Sequence, residues 1–167
     1  MPVRHTRIRV DRIACAPMTQ ATRPGAERLL ARFLGADEHY RASASAYGDG
    51  GPEALERALD LFLARPELGF VWIAEVDGEV AGACVVCRAI STSRGGLVAK
   101  LDDVTIDDRY QGQGIGTAMV EALANHLRKN GIGRIDTACH RGNAGAWRFY
   151  ARLGYRPLDE ERIALLL

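Results

Sequence analysis

Gln111-Gly112-Gln113-Gly114-Ile115-Gly116 puts three glycines between two runs of different period. Upstream, Leu97 to Ile106 carries β-branched and apolar residues at strand spacing. Downstream, Met119, Val120, Leu123 and Leu127 recur at helical spacing. A strand feeding a helix through glycines leaves backbone N–H groups free at the helix N-terminus. The helix dipole adds to them, so the turn suits an anion such as a pyrophosphate. Two familiar phosphate motifs do not fit. A dinucleotide fingerprint needs G-x-G-x-x-G, but Gly116 comes one place early and Thr117 stands where the third glycine belongs. A P-loop needs G-x-x-x-x-G-K-S/T, and no glycine here is followed by that lysine.

Cys84-Val85-Val86-Cys87 has the spacing of a redox or metal pair, but it lies in an apolar, strand-like run. Residues three apart on a strand point to opposite faces, so the two thiols do not converge on one ion. No metal site is expected, and the cysteines read as small apolar residues of a reduced protein.

The elements that must position the glycine turn follow from the same patterns. Arg7 to Ile13 alternates as an opening strand. Thr22-Arg23-Pro24 opens a helix with Leu29, Leu30, Phe33 and Leu34 as its stripe, and Gly35 ends it. Residues 36–51 are polar, small and without sustained period, and read as a partly helical, mobile loop. Pro52 opens a second helix through Leu55, Ala58, Leu59 and Phe62, and Arg65-Pro66 stops it. Phe70 to Val76 and Val80 to Ile90 form a hairpin about Asp77-Gly78. After the 97–106 strand and the helix of 116–129 come a short strand, Arg134 to Cys139, and a helix capped by Asn143 and closed by Gly154. A final strand lies within Tyr155 to Leu167. The order β-α-α-β-β-β-α-β-α-β predicts an α/β fold, a mixed sheet with helices on both faces, in one domain spanning 1–167.

The glycine turn resembles the acyl-CoA motif of the GCN5-related N-acetyltransferase (GNAT) family, Q/R-x-x-G-x-G/A. Leu101-Asp102-Asp103-Val104-Thr105-Ile106 resembles that family's fourth strand. Asn143 to Tyr155 is similar to its second motif, N-x-x-A-x-x-x-Y-x-x-x-G-F/Y. The resemblance implies splayed fourth and fifth strands with acetyl-CoA between them and no metal. Pantetheine would pair with the backbone of Val104, Thr105 and Ile106 as an added strand does. N–H groups from Gln111, Gly112, Gln113, Gly114, Ile115, Gly116 and Thr117 would hold the pyrophosphate, with Asn143 and Tyr150 completing the cofactor side. Many relatives carry basic residues where this chain has Gln111 and Gln113, which shifts the phosphate grip to the main chain; Arg148 or Arg152 could reach the 3′-phosphate.

Direct attack of an amine on a thioester needs a base, because a lysine-type ammonium has a pKa of about 10.4. It also needs an oxyanion donor and an acid for the leaving thiolate. By the resemblance Tyr150 is that acid. Asp102 and Asp103, adjacent on a strand, should face opposite ways. If Val104 and Ile106 share the face of Asp102, the base is Asp102 and Asp103 is structural. His39, Tyr40 and Tyr47, with Asp37 and Glu38, lie in the segment that in the family often covers the acceptor. Cys139 and His140 end the fifth strand near the cleft. Trp72 and His126 read as packing.

Composition restricts the remainder. The chain has 167 residues, 47% of them hydrophobic and 26% charged, and a net charge of +1, so no nucleic-acid or membrane partner is called for. The arginine-rich start has no apolar h-region and no run of about 18 apolar residues occurs, which predicts a cytoplasmic protein. The expectation is an acetyl-CoA-dependent N-acetyltransferase acting on a small-molecule primary amine such as a polyamine or amino acid. The alternatives are a protein N-terminal or lysine acetyltransferase and a non-catalytic acyl-CoA sensor. The C-terminal Ile163-Ala164-Leu165-Leu166-Leu167 reads equally as a homodimer interface strand or a core strand.

Overall fold

The computed structural model describes residues 9–48 and 50–167, and only the backbone of Val10 and of 43–47. Five strands form one mixed sheet in the order β1 (Ile13–Pro17), β2 (Gly69–Val76), β3 (Glu79–Ser91), β4 (Gly96–Ile106) and β5 (Ile135–Thr137). Neighbours from β1 to β4 are antiparallel, and β5 is parallel to β4. A parallel return needs a crossover, and α4 (Ile115–Lys129) supplies it.

Helices α1 (Arg23–Ala36) and α3 (Pro52–Ala64) cover one face of the sheet, where Leu29, Leu30 and Leu59 pack on Val71, Ile73 and Ala83. On the other face Ile115, Met119, Leu123 and Leu127 of α4 pack on Trp72, Cys84, Val86 and Leu101. The anticipated hairpin is present. Asp77 and Gly78 both have positive φ, 51° and 83°, as a type I′ turn requires. Trp72 lies in the core and donates its indole N–H to Met119 O at 3.1 Å. His126 packs against the rings of Trp72 and Phe70. Cys84 is fully buried on the α4 side. Cys87 pairs with Lys100, and among the described residues no group of three or more possible metal ligands forms. No helix among them is long and apolar enough to cross a membrane.

Four local expectations change. Residues 7 and 8 lie outside the described part, Val10–Arg12 forms a 3-10 turn, and the first strand begins only at Ile13. Gly35 does not end α1; the helix runs to Ala36 and stops where Asp37 turns extended, at φ −68° and ψ 117°. The segment read as a partly helical loop is helical over α2 (Glu38–Tyr47), more regular than expected, and is started by the Asp37 carboxylate accepting the Tyr40 N–H at 2.8 Å. No strand forms within Tyr155–Leu167. Pro157 removes a ladder donor there, and the charged run from Asp159 to Arg162 offers no apolar alternation. Ile163 is 95% exposed and Leu165 85%, so this tail is not a core strand.

Candidate active site

The site begins where β4 and β5 part. They pair only over Ala99–Ile135, Lys100–Asp136 and Leu101–Thr137. The Thr137 hydroxyl donates to Leu101 O at 2.8 Å and closes the fork. Beyond it, β4 from Asp102 to Ile106 has a register partner on the β3 side and none on the β5 side among the described residues. An unpaired strand edge presents N–H and C=O groups to any extended amide chain. Val104, Thr105 and Ile106 lie on this segment, and the Ile106 carbonyl already accepts from Arg32.

A bulge interrupts β4 at the carboxylates. Asp102 pairs with Val85 and Thr105 with Ala83, so Asp103 and Val104 together oppose Cys84. Asp103 takes φ +52°, a left-handed conformation that aspartate tolerates better than most residues. The extra residue breaks the simple alternation. Directly paired residues share a face, so Asp102 lies with Val85 on the α1/α3 side. Val104 and Ile106 instead pack against the α4-side core. The condition under which Asp102 shares the face of Val104 and Ile106 therefore does not hold.

The two carboxylates differ in environment. Asp102 is paired with Lys100 at 2.7 Å and with Arg162 at 3.6 Å. Asp103 has no ion pair of that closeness among the described residues. Burial first, then the charge of Asp102, push its carboxyl up to about 6, against the weaker opposing pull of Lys100 and Arg162.

The turn after β4 is braced from α1. Asp107, 4% exposed, accepts from Arg28 at 2.8 Å and from the Arg109 backbone and guanidinium at 3.0 and 3.1 Å. Arg109 foremost, with Arg28, holds its carboxyl well below the usual range despite burial. Arg32 donates to Ile106 O at 2.8 Å and pairs with Asp108 at 2.7 Å. Gly112 and Gly114 then take φ +72° and +89°, and α4 starts at Ile115. The Ala118 N–H returns to Gly114 O at 3.1 Å; the N–H groups before it belong to the first turn, which has no intrahelical acceptors. The glutamines fold back, Gln111 to Asp108 at 2.9 Å and Gln113 to Arg109 O at 2.8 Å, so neither side chain reaches over the turn. The Gln111 N–H is taken by Asp108 O at 3.4 Å, so the left-handed glycines and the first-turn amides after it are what fit the pyrophosphate of a coenzyme A ligand.

The second motif forms α5 (Ala144–Arg152). Asn143 caps it, accepting the Ala146 N–H at 3.0 Å, which commits that side chain to the helix. Tyr150 packs against the α4-side core, with its hydroxyl toward the Thr137 side chain at the fork. Burial raises its phenol to about 12 against the opposing effect of Thr137, so it stays protonated at neutral pH. Arg148 and Arg152 are exposed. His39 of α2 meets His140, their ring centroids 5.0 Å apart, and His140 Nδ1 accepts the Gly142 N–H at 3.1 Å. Cys139 is half-buried, its thiol raised by burial. The side chain of Tyr47 lies outside the described residues.

Thr137, the Arg28–Asp107 brace and the His39–His140 contact are structural features of the site with no sequence signal of their own. They join residues from 36 to 101 positions apart. Only the Asp37 cap before α2 had a local signature that could have been used.

An uncharacterized N-acetyltransferase of Methanocaldococcus jannaschii is 34% identical over 99 residues, 58% of the chain and 43% of that relative. A ribosomal-protein alanine N-acetyltransferase of Escherichia coli K12 is 35% identical over 64 residues, 38% of the chain and 43% of the relative. The chain thus spans under half the length of these curated relatives. Among solved structures, an integron cassette protein from the Cole Harbour salt marsh metagenome superposes with a TM-score of 0.74 at 20% identity, covering 95% of this chain and 91% of that one. That likeness supports the fold. The family model described as Acetyltransferase (GNAT) family matches residues 36–155, both motifs and the fork between them included, and the chain belongs to that family.

Proposed function

We propose that the chain is an acetyl-CoA-dependent N-acetyltransferase that passes the acetyl group directly to a primary amine of a small molecule. The observation that carries this reading is the half-buried Asp103 carboxyl at the bulge, beside a strand edge open to an acyl-CoA arm. When bound, acetyl-CoA supplies a thioester carbonyl as electrophile. The residues from 112 to 117 bind its pyrophosphate, and the β4 edge orients its arm.

Asp103 takes the proton from the amine. A carboxylate raised to about 6 is a stronger base than an ordinary one, yet is still ionised at neutral pH. Asp102, held by Lys100 and Arg162, contributes the charge that helps raise its neighbour. The amine nitrogen bonds to the carbonyl carbon, and a β4 N–H stabilises the oxyanion. The C–S bond would then break with its electron pair kept by sulfur, and the protonated Tyr150 hydroxyl would donate a hydrogen bond to the departing thiolate, whose pKa is about 8.5 by analogy with cysteine. Thr137 positions Tyr150.

The His39–His140 contact ties α2 to the segment after β5 and supports a small acceptor. A protein N-terminus is the second reading, favoured by the name of the Escherichia coli relative. Thiol release from acetyl-CoA, measured across amines, amino acids and N-terminal peptides, tests both. Turnover with a small amine supports the first reading, and turnover with peptides alone supports the second. Thermal stabilisation by acetyl-CoA with no thiol released for any acceptor would reject catalysis and leave a sensor.

A further inference from the structure

Tyr155 follows α5, and its backbone N–H donates to Tyr150 O at 3.0 Å. Its ring lies against that of Tyr150, with centroids 5.2 Å apart and planes at 59°. The Tyr150 hydroxyl faces Thr137, whose own hydroxyl donates to Leu101 O at 2.8 Å. The Tyr155 hydroxyl is not engaged: its oxygen is buried and has no hydrogen-bond partner among the described residues. One other buried side-chain polar atom among them lacks a hydrogen bond, Arg23 Nε, which still lies 3.7 Å from the Glu27 carboxylate. Burial raises the Tyr155 phenol, and Tyr150 and Cys84 act in the same direction. Cys84 is the residue that opposes the β4 bulge. The orphan hydroxyl thus lies among groups that border the fork.

A buried hydroxyl without a partner costs stability, and native structures keep few of them. A phenylalanine at this position would fill the same ring space without that cost. We infer that Tyr155 is a coenzyme-binding residue whose hydroxyl is completed by a carbonyl or amide group of the acyl-pantetheine arm. This rests on the acyl-CoA reading of the site. It adds a polar contact inside the fork to the backbone contacts at its edge.

The test is Tyr155→Phe, an isosteric change. Melting temperature is measured without ligand, and dissociation constants for CoA and for acetyl-CoA are measured by calorimetry. The variant is expected to melt at or above the parent temperature when free, because it loses an unpaired group. It should bind acetyl-CoA about three- to tenfold more weakly, the range one neutral hydrogen bond supplies. Equal weakening for CoA assigns the contact to the pantetheine arm, and weakening for acetyl-CoA alone assigns it to the acetyl carbonyl. Unchanged dissociation constants overturn the inference, as does a lower melting temperature of the free variant, which would reveal a partner in the free protein. A parent protein that binds neither compound would instead reject the acyl-CoA reading itself.

Discussion

Replacing Asp103 with Asn should make the protein both more stable and far less active, with a pH dependence that identifies the cause. The folded protein holds the Asp103 proton more tightly than the unfolded chain does, since its carboxyl moves from 3.8 to about 6. Its neutral form therefore favours the fold. That contribution is fully present below the unfolded value and is lost as pH rises through about 6. Two units at about 1.36 kcal/mol each give about 3 kcal/mol as an upper value. Asparagine keeps the shape and the tolerance for φ +52° but cannot ionise. Urea unfolding should then show Asp103→Asn more stable than the parent by up to about 3 kcal/mol at pH 8, and equal to it near pH 4. For a chain of this size the gain at pH 8 corresponds to roughly 6–12 °C in melting temperature. In parallel, kcat/KM should fall about 100-fold, the lower part of the range for general-base loss. The acidic limb of its pH profile, near pH 6 in the parent, should disappear. A stability gain equal at both pH values, or an acidic limb that survives, would refute the argument.

Tyr150→Phe should leave the acetyl-CoA dissociation constant nearly unchanged while kcat falls about 100-fold; calorimetry with steady-state kinetics separates the two, and an unchanged kcat would remove Tyr150 from the mechanism. Gly114→Ala puts a Cβ on a residue at φ +89° and should cost about 1–2 kcal/mol in urea unfolding, with a higher KM for acetyl-CoA and little change in acceptor KM. Asp107→Asn removes the charge that Arg28 and Arg109 meet and should cost about 2 kcal/mol at neutral pH. Because that carboxyl is held low, the parent's advantage is present above about pH 4 and shrinks as pH falls below it; equal loss at pH 3 and pH 7 would contradict this.

Features set by neighbouring residues were legible in the chain. Asp77-Gly78 specified its turn, Pro24 and Pro52 their helix starts, and Asn143 its cap, because each acts through backbone angles or a bond within three residues. The glycine turn and Tyr150 were legible as a pair of motifs. What escaped depends on contacts distant in sequence. The face that Asp102 occupies is decided by a register shift against β3, and period-two reasoning cannot see an inserted residue. The brace on Asp107 comes from an arginine 79 positions earlier, on a helix whose sequence shows only its own stripe. The small, polar residues of 38–47 read as only partly helical, because α2 lacks the leucine stripe that marks its neighbours.

The β4 bulge makes alike two kinds of genetic change that differ elsewhere in a strand. A substitution at Asp103 alters one side chain and leaves the ladder in register. Deletion of the same codon removes the inserted residue: Val104 then opposes Cys84 alone, while Thr105 stays on Ala83 and Ile106 on Gly82. Val104 and Ile106 keep facing the α4 core, and Asp107, next in line, keeps its place beside Arg28. In a library scan of β4, deletion of residue 103 should therefore keep the fold while removing the carboxyl.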